Sequence, residues 1–390
     1  MTATEHVFLV PGFFGFDRLG DVSYFKHVED ALGEWARRRG IAIRVHEVRT
    51  SPTASLRRRA GLLLDSIAEA TDGHDGGIHI IGHSTGGLDA RLVVTPEVSL
   101  LSGRDPEPLA RRVRTVVTVA TPHQGTPVAG IFSSLLGQQL LAVLSLATTY
   151  VMRTGRLPAD VLVQLAALFA RPGPSDGGRI SGLYRRLLDG FSSQSRERLE
   201  HFVDEIRQDQ DLLPQIAAPA MDLFNASTYD RPGVRYGSVV TQAPRSVLRG
   251  LLASGLSPSA HASHALFLCI SRLAARVPAD RVPPLTEPQR HAMVQDFGAE
   301  PDRHANDGIV PTRSQPWGQV IRGVWADHLD VIGHFQGRAH VPPHFDWLTS
   351  GSNFTRARFL GLWDAIARFT FVAPTDRVWR DEQAQPTRVL

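Results

Sequence analysis

Apolar and polar residues follow two rhythms along the first 120 positions, and the two rhythms take turns. His6 to Val10 is a short apolar run stopped by Pro11-Gly12. From Asp21 to Arg39 the residues Phe25, Val28, Leu32 and Trp35 recur at three- and four-residue steps, which predicts a helix. Ile41 to Val48 alternates Ile41, Ile43 and Val45 with polar neighbours, which predicts a strand. Ser51-Pro52 offers an N-cap and a first-turn proline for a helix through Ala70. After the turn cluster Gly73 to Gly77, Ile78 to Ile81 forms a very apolar strand and Val113 to Val119 another, as suits strands buried on both faces of a parallel sheet. Strand and helix in turn predict an α/β fold with a mostly parallel sheet covered on both sides.

Beyond Thr121-Pro122 the rhythm changes. Residues 127–222 lack convincing strands and carry helical periodicity, broken at Pro172-Gly173-Pro174, so they read as a helical cap or lid inserted over one edge of the core. Within them, Ile131 to Met152 is apolar and long enough to cross a bilayer. Gln138, Gln139 and several Ser and Thr interrupt it, so a mobile cap helix is the better reading. Val234 to Thr241 returns as a strand, 242–300 is a second, Pro-rich excursion, and a helix over Thr355 to Phe369 precedes a polar tail. The expected core is therefore 1–126 with 223–390, and the insertion 127–222.

Composition removes several function classes. The formal net charge is only +3 and no basic tract carries interleaved aromatics, which argues against a nucleic-acid partner. The runs Arg37-Arg38-Arg39 and Arg57-Arg58-Arg59 read as solvated helix faces. With Cys269 the single cysteine, neither an internal disulfide nor a thiolate metal cluster can form, and its apolar neighbours make it a small core residue. No secretory signal is visible at the N-terminus, so the expected location is cytoplasmic.

Chemistry concentrates in Ile78-His79-Ile80-Ile81-Gly82-His83-Ser84-Thr85-Gly86-Gly87-Leu88. This is G-x-S-x-G directly after a buried strand and directly before a helix through Val94, the context of a nucleophile elbow. Gly82 and Gly86 leave room for the tight turn, and Ser84 is lifted into the open. The free N–H groups and dipole of the following helix favour negative charge beside it, with the Thr85 N–H as one oxyanion donor. A serine hydroxyl needs a histidine to take its proton and a carboxylate to orient that histidine.

For the carboxylate, Asn306-Asp307-Gly308-Ile309-Val310 places a short acid at a turn beside an apolar run. For the base, Ala326-Asp327-His328-Leu329-Asp330-Val331-Ile332-Gly333-His334 offers two histidines, and the residues alone leave His328, His334, His340 and His344 open. The loop Val10-Pro11-Gly12-Phe13-Phe14-Gly15 follows the first strand, and the Phe13 N–H is the candidate second oxyanion donor.

These blocks, with Val119-Ala120-Thr121-Pro122-His123-Gln124-Gly125-Thr126, resemble in order those of bacterial lipases of the α/β-hydrolase fold, especially the large thermoalkaliphilic lipases. The resemblance spans most of the chain, although 130–220 and 242–300 align poorly. It implies Asp307 as the acid and His328 as the base, demotes His334, and implies a lid over an apolar acyl pocket. His123, in the Thr-Pro-His-Gln-Gly-Thr block, is expected to have a structural hydrogen-bonding role rather than a catalytic one. Three departures stand out. Pro11-Gly12 replaces the usual His-Gly, and the usual secretion signal is not seen. Of the metal sites, Asp330 matches an acidic calcium ligand, but His334 and Phe335 stand where other members carry further ligands. The His-rich insertion that carries zinc is missing between Ala70 and Ile78, so no cofactor is expected and calcium near Asp330 is doubtful.

The expected function is hydrolysis of carboxylic esters of acyl lipids through an acyl-enzyme, with transient contact at a lipid interface. Two alternatives stay open: an acyltransferase using the same three residues, and a non-catalytic lipid-binding protein. Oligomeric state is not legible.

Overall fold

The computed structural model of the chain describes residues 4–13, 18–19, 22–132, 135–154, 157–170, 176–245, 258–337, 346 and 348–372. Its centre is a six-stranded, all-parallel sheet of β1 (Glu5–Val10), β2 (Ile43–Glu47), β3 (Ile78–His83), β4 (Val113–Val119), β5 (Arg235–Gln242) and β6 (Gln319–Trp325), in the spatial order β2-β1-β3-β4-β5-β6. Strand β3, which delivers the serine, pairs with β1 on one side and β4 on the other.

The period of two decides what lies on each face. Val7 and Leu9 of β1 join Ile81, Val117 and Val239 in one apolar layer, whereas Phe8 and Val10 join Ile78, Ile80 and Val116 in the other. Helices α1 (Val28–Arg37) and, near the C-terminus, α12 (Arg356–Phe371) cover the first layer with Trp35 and Trp363. Helices α2 (Leu56–Thr71) and α3 (Gly86–Val94) cover the second with Leu63, Leu64 and Val93. A strand buried on both faces carries mostly apolar residues and pairs the polar ones, as His79 pairs with Thr115 and Thr118 with the Gly237 carbonyl, which is why β3 and β4 are the most readable strands in the sequence.

Between β4 and β5 the chain is helical: α4 (Pro127–Phe132), α5 (Leu135–Thr154), α6 (Ala159–Ala170), α7 (Gly177–Asp189), α8 (Ser193–Gln208) and α9 (Ala218–Ser227). Leu141, Leu144, Val161 and Leu165 from these helices merge with the apolar layer beneath α1 and α12. Among the described residues no helix is long and apolar enough to cross a membrane. Between β5 and β6, α10 (Pro258–Ala274) packs on α6 and α11 (Glu287–Phe297) packs on β6. A capping box joining Thr286 and Gln289 starts α11, and Gly298 in the left-handed region ends it. Cys269 is half-buried on α10 among apolar neighbours.

Four local expectations need correction. The helix expected from Asp21 begins only at Val28, because Val22-Ser23 pair with Arg18-Leu19 in a small ribbon. The cap of α2 is Ser55, whose hydroxyl accepts from the Arg58 N–H, rather than Ser51; the Ser51 and Pro52 carbonyls instead accept from Arg59. Arg57 and Arg58 are solvated as expected, but Arg59 is fully buried against Asp89. Strand β6 is an addition: Gln319, Arg322 and Gly323 dilute its apolar signal, as an edge strand allows, and it forms by pairing with β5.

Candidate active site

Ser84 stands at the bend between β3 and α3 with φ 53°, a left-handed conformation that costs a residue with a side chain energy. Close backbone approach on either side enforces the bend. A Cβ on Gly82 would stand 2.3 Å from the Gly86 carbonyl oxygen, and one on Gly86 would stand 2.3 Å from that of Val10. The Ser84 N–H donates to the Val119 carbonyl at 2.8 Å, fixing the bend to the end of β4. The first turn of α3 then starts at Thr85, whose N–H has no acceptor among the described residues.

His328 follows β6, and Asp307 lies beside the end of β5. The His328 Nδ1–H donates to Asp307 Oδ2 at 2.8 Å, and the His328 backbone N–H donates to the Asp307 carbonyl at 3.0 Å. With Nδ1 protonated, Nε2 is left as an acceptor, the form a general base requires. Asp307 is fully buried, and its charge is met by donors on both oxygens. Oδ1 accepts from the N–H groups of Ile309 (3.0 Å) and Val310 (2.8 Å), and Oδ2 also accepts from Thr241 Oγ1 (2.7 Å) and Gln315 Nε2 (3.4 Å). Such a carboxylate can hold an imidazole without rotating away from it.

Ser84 and His328 line one cavity, together with Phe13, Thr85 and a wall of Val128, Phe132, Leu141, Leu144, Leu213 and Ile216. No hydrogen bond joins the Ser84 hydroxyl to the His328 ring, a spacing that serine–histidine pairs commonly close only when substrate binds. The oxyanion-side loop approaches so closely that a Cβ on Gly12 would stand 2.6 Å from the Ser84 Cβ.

A buried chain of hydrogen bonds joins this loop to His328. The Gly12 N–H donates to the Tyr24 hydroxyl (2.9 Å), which therefore turns its own proton to His83 Nδ1 (2.7 Å). His83 Nε2–H in turn donates to the His328 carbonyl (2.8 Å), and the two imidazole rings lie 4.7 Å apart. Burial, reinforced by His328 nearby, holds His83 neutral, well below the usual imidazole range. Burial likewise drives the Tyr24 phenol well above its ordinary value, so it remains a protonated donor. On the other side of the loop, Arg59 donates to the carbonyls of Pro11 (2.9 Å) and Gly12 (3.1 Å) while pairing with Asp89 of α3 at 2.8 Å. One guanidinium thus clamps the loop before the serine to the helix after it.

Two solved structures share this architecture. EstA from Clostridium botulinum matches at a TM-score of 0.51 and 17% identity, over 94% of this chain and 87% of its own. Lipase 1 from Pelosinus fermentans matches at 0.51 and 16%, over 95% of this chain and all of its own (100%). The fold is that of an α/β-hydrolase. No family model matches the chain, and no curated protein matches it in sequence.

Within the α/β-hydrolase fold the structure brings Ser84, Thr85, Phe13, His328 and Asp307 to one place. His334 goes elsewhere: its ring is buried, its Nε2–H donates to the Tyr24 carbonyl at 2.9 Å, and burial lowers it to about 4. His340 and His344 lie outside the described residues. His123 is buried between Thr118 Oγ1 (3.1 Å) and Arg91 (3.1 Å). Sequence reasoning missed Tyr24, Arg59, His83, Thr241 and Gln315, of which only His83, inside the serine motif itself, carried any local signal.

It also missed two acids beside Asp330. Asp327, Asp330 and Asp346 each offer a carboxylate oxygen within 4.8 Å of the others. Burial and mutual repulsion push Asp330 and Asp346 well above the ordinary carboxylate range, and Asp346 Oδ1 is buried without a hydrogen-bond partner. An all-oxygen, anionic set of this kind fits a hard divalent cation such as calcium.

Proposed function

We propose that the chain hydrolyses carboxylic esters of acyl lipids through an acyl-enzyme on Ser84. The observation that carries this reading is the shared apolar cavity, with Ser84 and His328 in its wall and His328 braced on a buried, fully hydrogen-bonded Asp307. The acyl chain lies against Phe132, Leu141 and Leu144, where its transfer from water favours binding. His328 Nε2 takes the Ser84 proton as Oγ bonds to the carbonyl carbon. The Thr85 and Phe13 N–H groups receive the oxygen that becomes negative. The proton then passes to the leaving alcohol as the ester bond breaks, and a water deprotonated by the same imidazole releases the acid and restores the serine.

Helices α4 and α5 form the lid side of this cavity in the proposed reading. Asp327, Asp330 and Asp346 would hold calcium, which would neutralise three clustered carboxylates just beyond His328 and stiffen that loop.

Replacing Ser84 by Ala tests the reading most directly. Hydrolysis of p-nitrophenyl acyl esters should fall by about 10⁶-fold, while the melting temperature stays nearly unchanged. Wild-type turnover in the variant would end the proposal, as would failure of a fluorophosphonate to label Ser84 in the native chain.

A further inference from the structure

A second cavity opens beside the segment Gln124–Thr126, and although its walls are largely apolar, several arginines border it. Arg276, Arg281, Arg303 and Arg313 line it, with Gln124 and Ser314 among the other polar residues, and among the described residues no aspartate or glutamate lines it. Arg276, Arg281 and Arg303 are exposed, so water screens their like charges, and an anion entering the hollow would meet several positive charges at once.

Their existing partners satisfy only half of the set. Arg281 pairs with Asp222, and Arg313 pairs with Glu300 at 2.6 Å; both acids stand outside the lining. Arg313 Nη2 also donates to the Pro283 carbonyl at 2.8 Å, and its buried Nε has no acceptor among the described residues. Arg276 makes no ion pair or side-chain hydrogen bond among the described residues. Arg303 uses only Nε, which donates to His304 at 2.9 Å, and has no carboxylate partner. The carboxylates nearest in sequence do not answer the deficit: Asp302 pairs with Arg245, and Asp280 is exposed outside the lining.

We propose that this hollow is a binding site for a phosphate group, gripped by Arg276 and Arg303 and completed by Arg281, Arg313 and the Ser314 side. Arginine forks match the paired oxygens of phosphate, and such charge-assisted bonds are the strongest available at a partly exposed site. Prolines 219, 278, 283 and 311 stiffen the backbone of the rim, so ordering the arginine side chains is the main entropy cost of binding. The group arrives either as a small soluble phosphate or as the head of an anionic lipid; the arginines read the same oxygens in both.

The hollow is coupled to the first cavity through the chain. Thr126 lines both cavities, and its hydroxyl donates to the Ile309 carbonyl at 2.6 Å, two residues from Asp307. Ser314 Oγ donates to the Gly125 carbonyl at 2.7 Å and accepts from the Gln124 N–H at 3.0 Å. Phosphate binding therefore braces the same segment that holds Asp307.

The test is the melting temperature of the full chain titrated with inorganic phosphate, against chloride at matched ionic strength, together with flotation on phosphatidylcholine vesicles with and without phosphatidic acid. A saturable rise with phosphate assigns a soluble ligand, and capture by phosphatidic acid vesicles alone assigns a lipid head group. In either case the double variant Arg276→Ala, Arg303→Ala should weaken binding by roughly 10- to 100-fold while keeping basal esterase activity. The Ser84→Ala variant should bind like the native chain, so failure of the ester reading would leave this response intact. Absence of both responses, or responses unchanged in the double variant, would overturn the proposal.

Discussion

Ser84 is positioned mainly by the glycines of its own turn, with Val10 and Val119 against them, whereas His328 is positioned by side chains from four separate segments of the chain. On the serine side, Gly82 and Gly86 admit a backbone approach near 2.3 Å and force the left-handed bend, so the geometry is encoded where it is used. On the histidine side, Asp307, Thr241, Gln315, His83 and, through His83, Tyr24 converge from distant segments by hydrogen bonds of 2.7–3.4 Å. Backbone strain cannot relax without unfolding the turn, but a hydrogen-bonded network can lose one member and deform. The two halves should therefore differ in how they fail: the serine side all at once, the histidine side by degrees.

The largest effect short of removing the nucleophile should come from Asp307→Asn. The amide still fits the pocket of Thr241 and Gln315, but it can present its N–H to His328 Nδ1, which moves the imidazole proton to Nε2 and blocks base function. A loss of about 10⁴-fold in kcat is expected, with KM and the melt little changed. Activity within tenfold of native would show that the acid lies elsewhere.

The next effect separates positioning from chemistry. His83 touches no reacting atom in the proposed reading; it holds the His328 carbonyl and, through Tyr24, the Gly12 N–H. His83→Leu is close to histidine in volume and removes both bonds. It should lower kcat by roughly 10- to 100-fold at unchanged KM, the scale of a small misplacement of a catalytic group. The rate of fluorophosphonate labelling should drop in parallel. A variant that melts early yet labels at the native rate would make His83 purely structural.

This contrast also explains what could be read in advance. Strands β3 and β4, the serine bend and its helix were legible because local sterics and burial on both sheet faces leave few alternatives. Strand β6 was not, since its residues declare themselves only when β5 is beside them. Arg59 looked like one more solvated arginine in a basic run; its burial depends on Asp89 and two loop carbonyls that sequence spacing does not bring together. Asp307 and His328 were visible as residues, but their pairing needed the resemblance. Asp327 and Asp346 stayed hidden because two segments must meet for their carboxylates to become neighbours.

Those carboxylates offer a smaller, metal-dependent way to load the histidine side. If calcium binds Asp327, Asp330 and Asp346, saturating calcium should raise the melting temperature of the chelator-treated protein by roughly 5 °C. Asp346→Asn should remove most of that response. No difference between calcium and chelator would leave the cluster without a metal role.

The smallest effect is one of acidity, and it is best measured in calcium so that the clustered carboxylates do not titrate. Burial lowers His334 from 6.5 to about 4 and holds His83 and His123 well below their usual range. In the unfolded chain all three imidazoles take a proton near pH 6.5, while in the folded chain they do not. Between pH 6.5 and about 4 the unfolded state therefore binds more protons, and stability declines as the pH falls through that window. Above 6.5 these groups contribute no slope. For His334 alone the linkage reaches about 3 kcal/mol at most. His334→Gln retains a donor for the Tyr24 carbonyl and cannot titrate, so its melting temperature should fall less steeply from pH 6.5 to 4.5 than that of the native chain. Parallel curves would mean that His334 is already solvated and charged in the folded state, and the tie between Tyr24 and the loop beyond His328 would have to be redrawn.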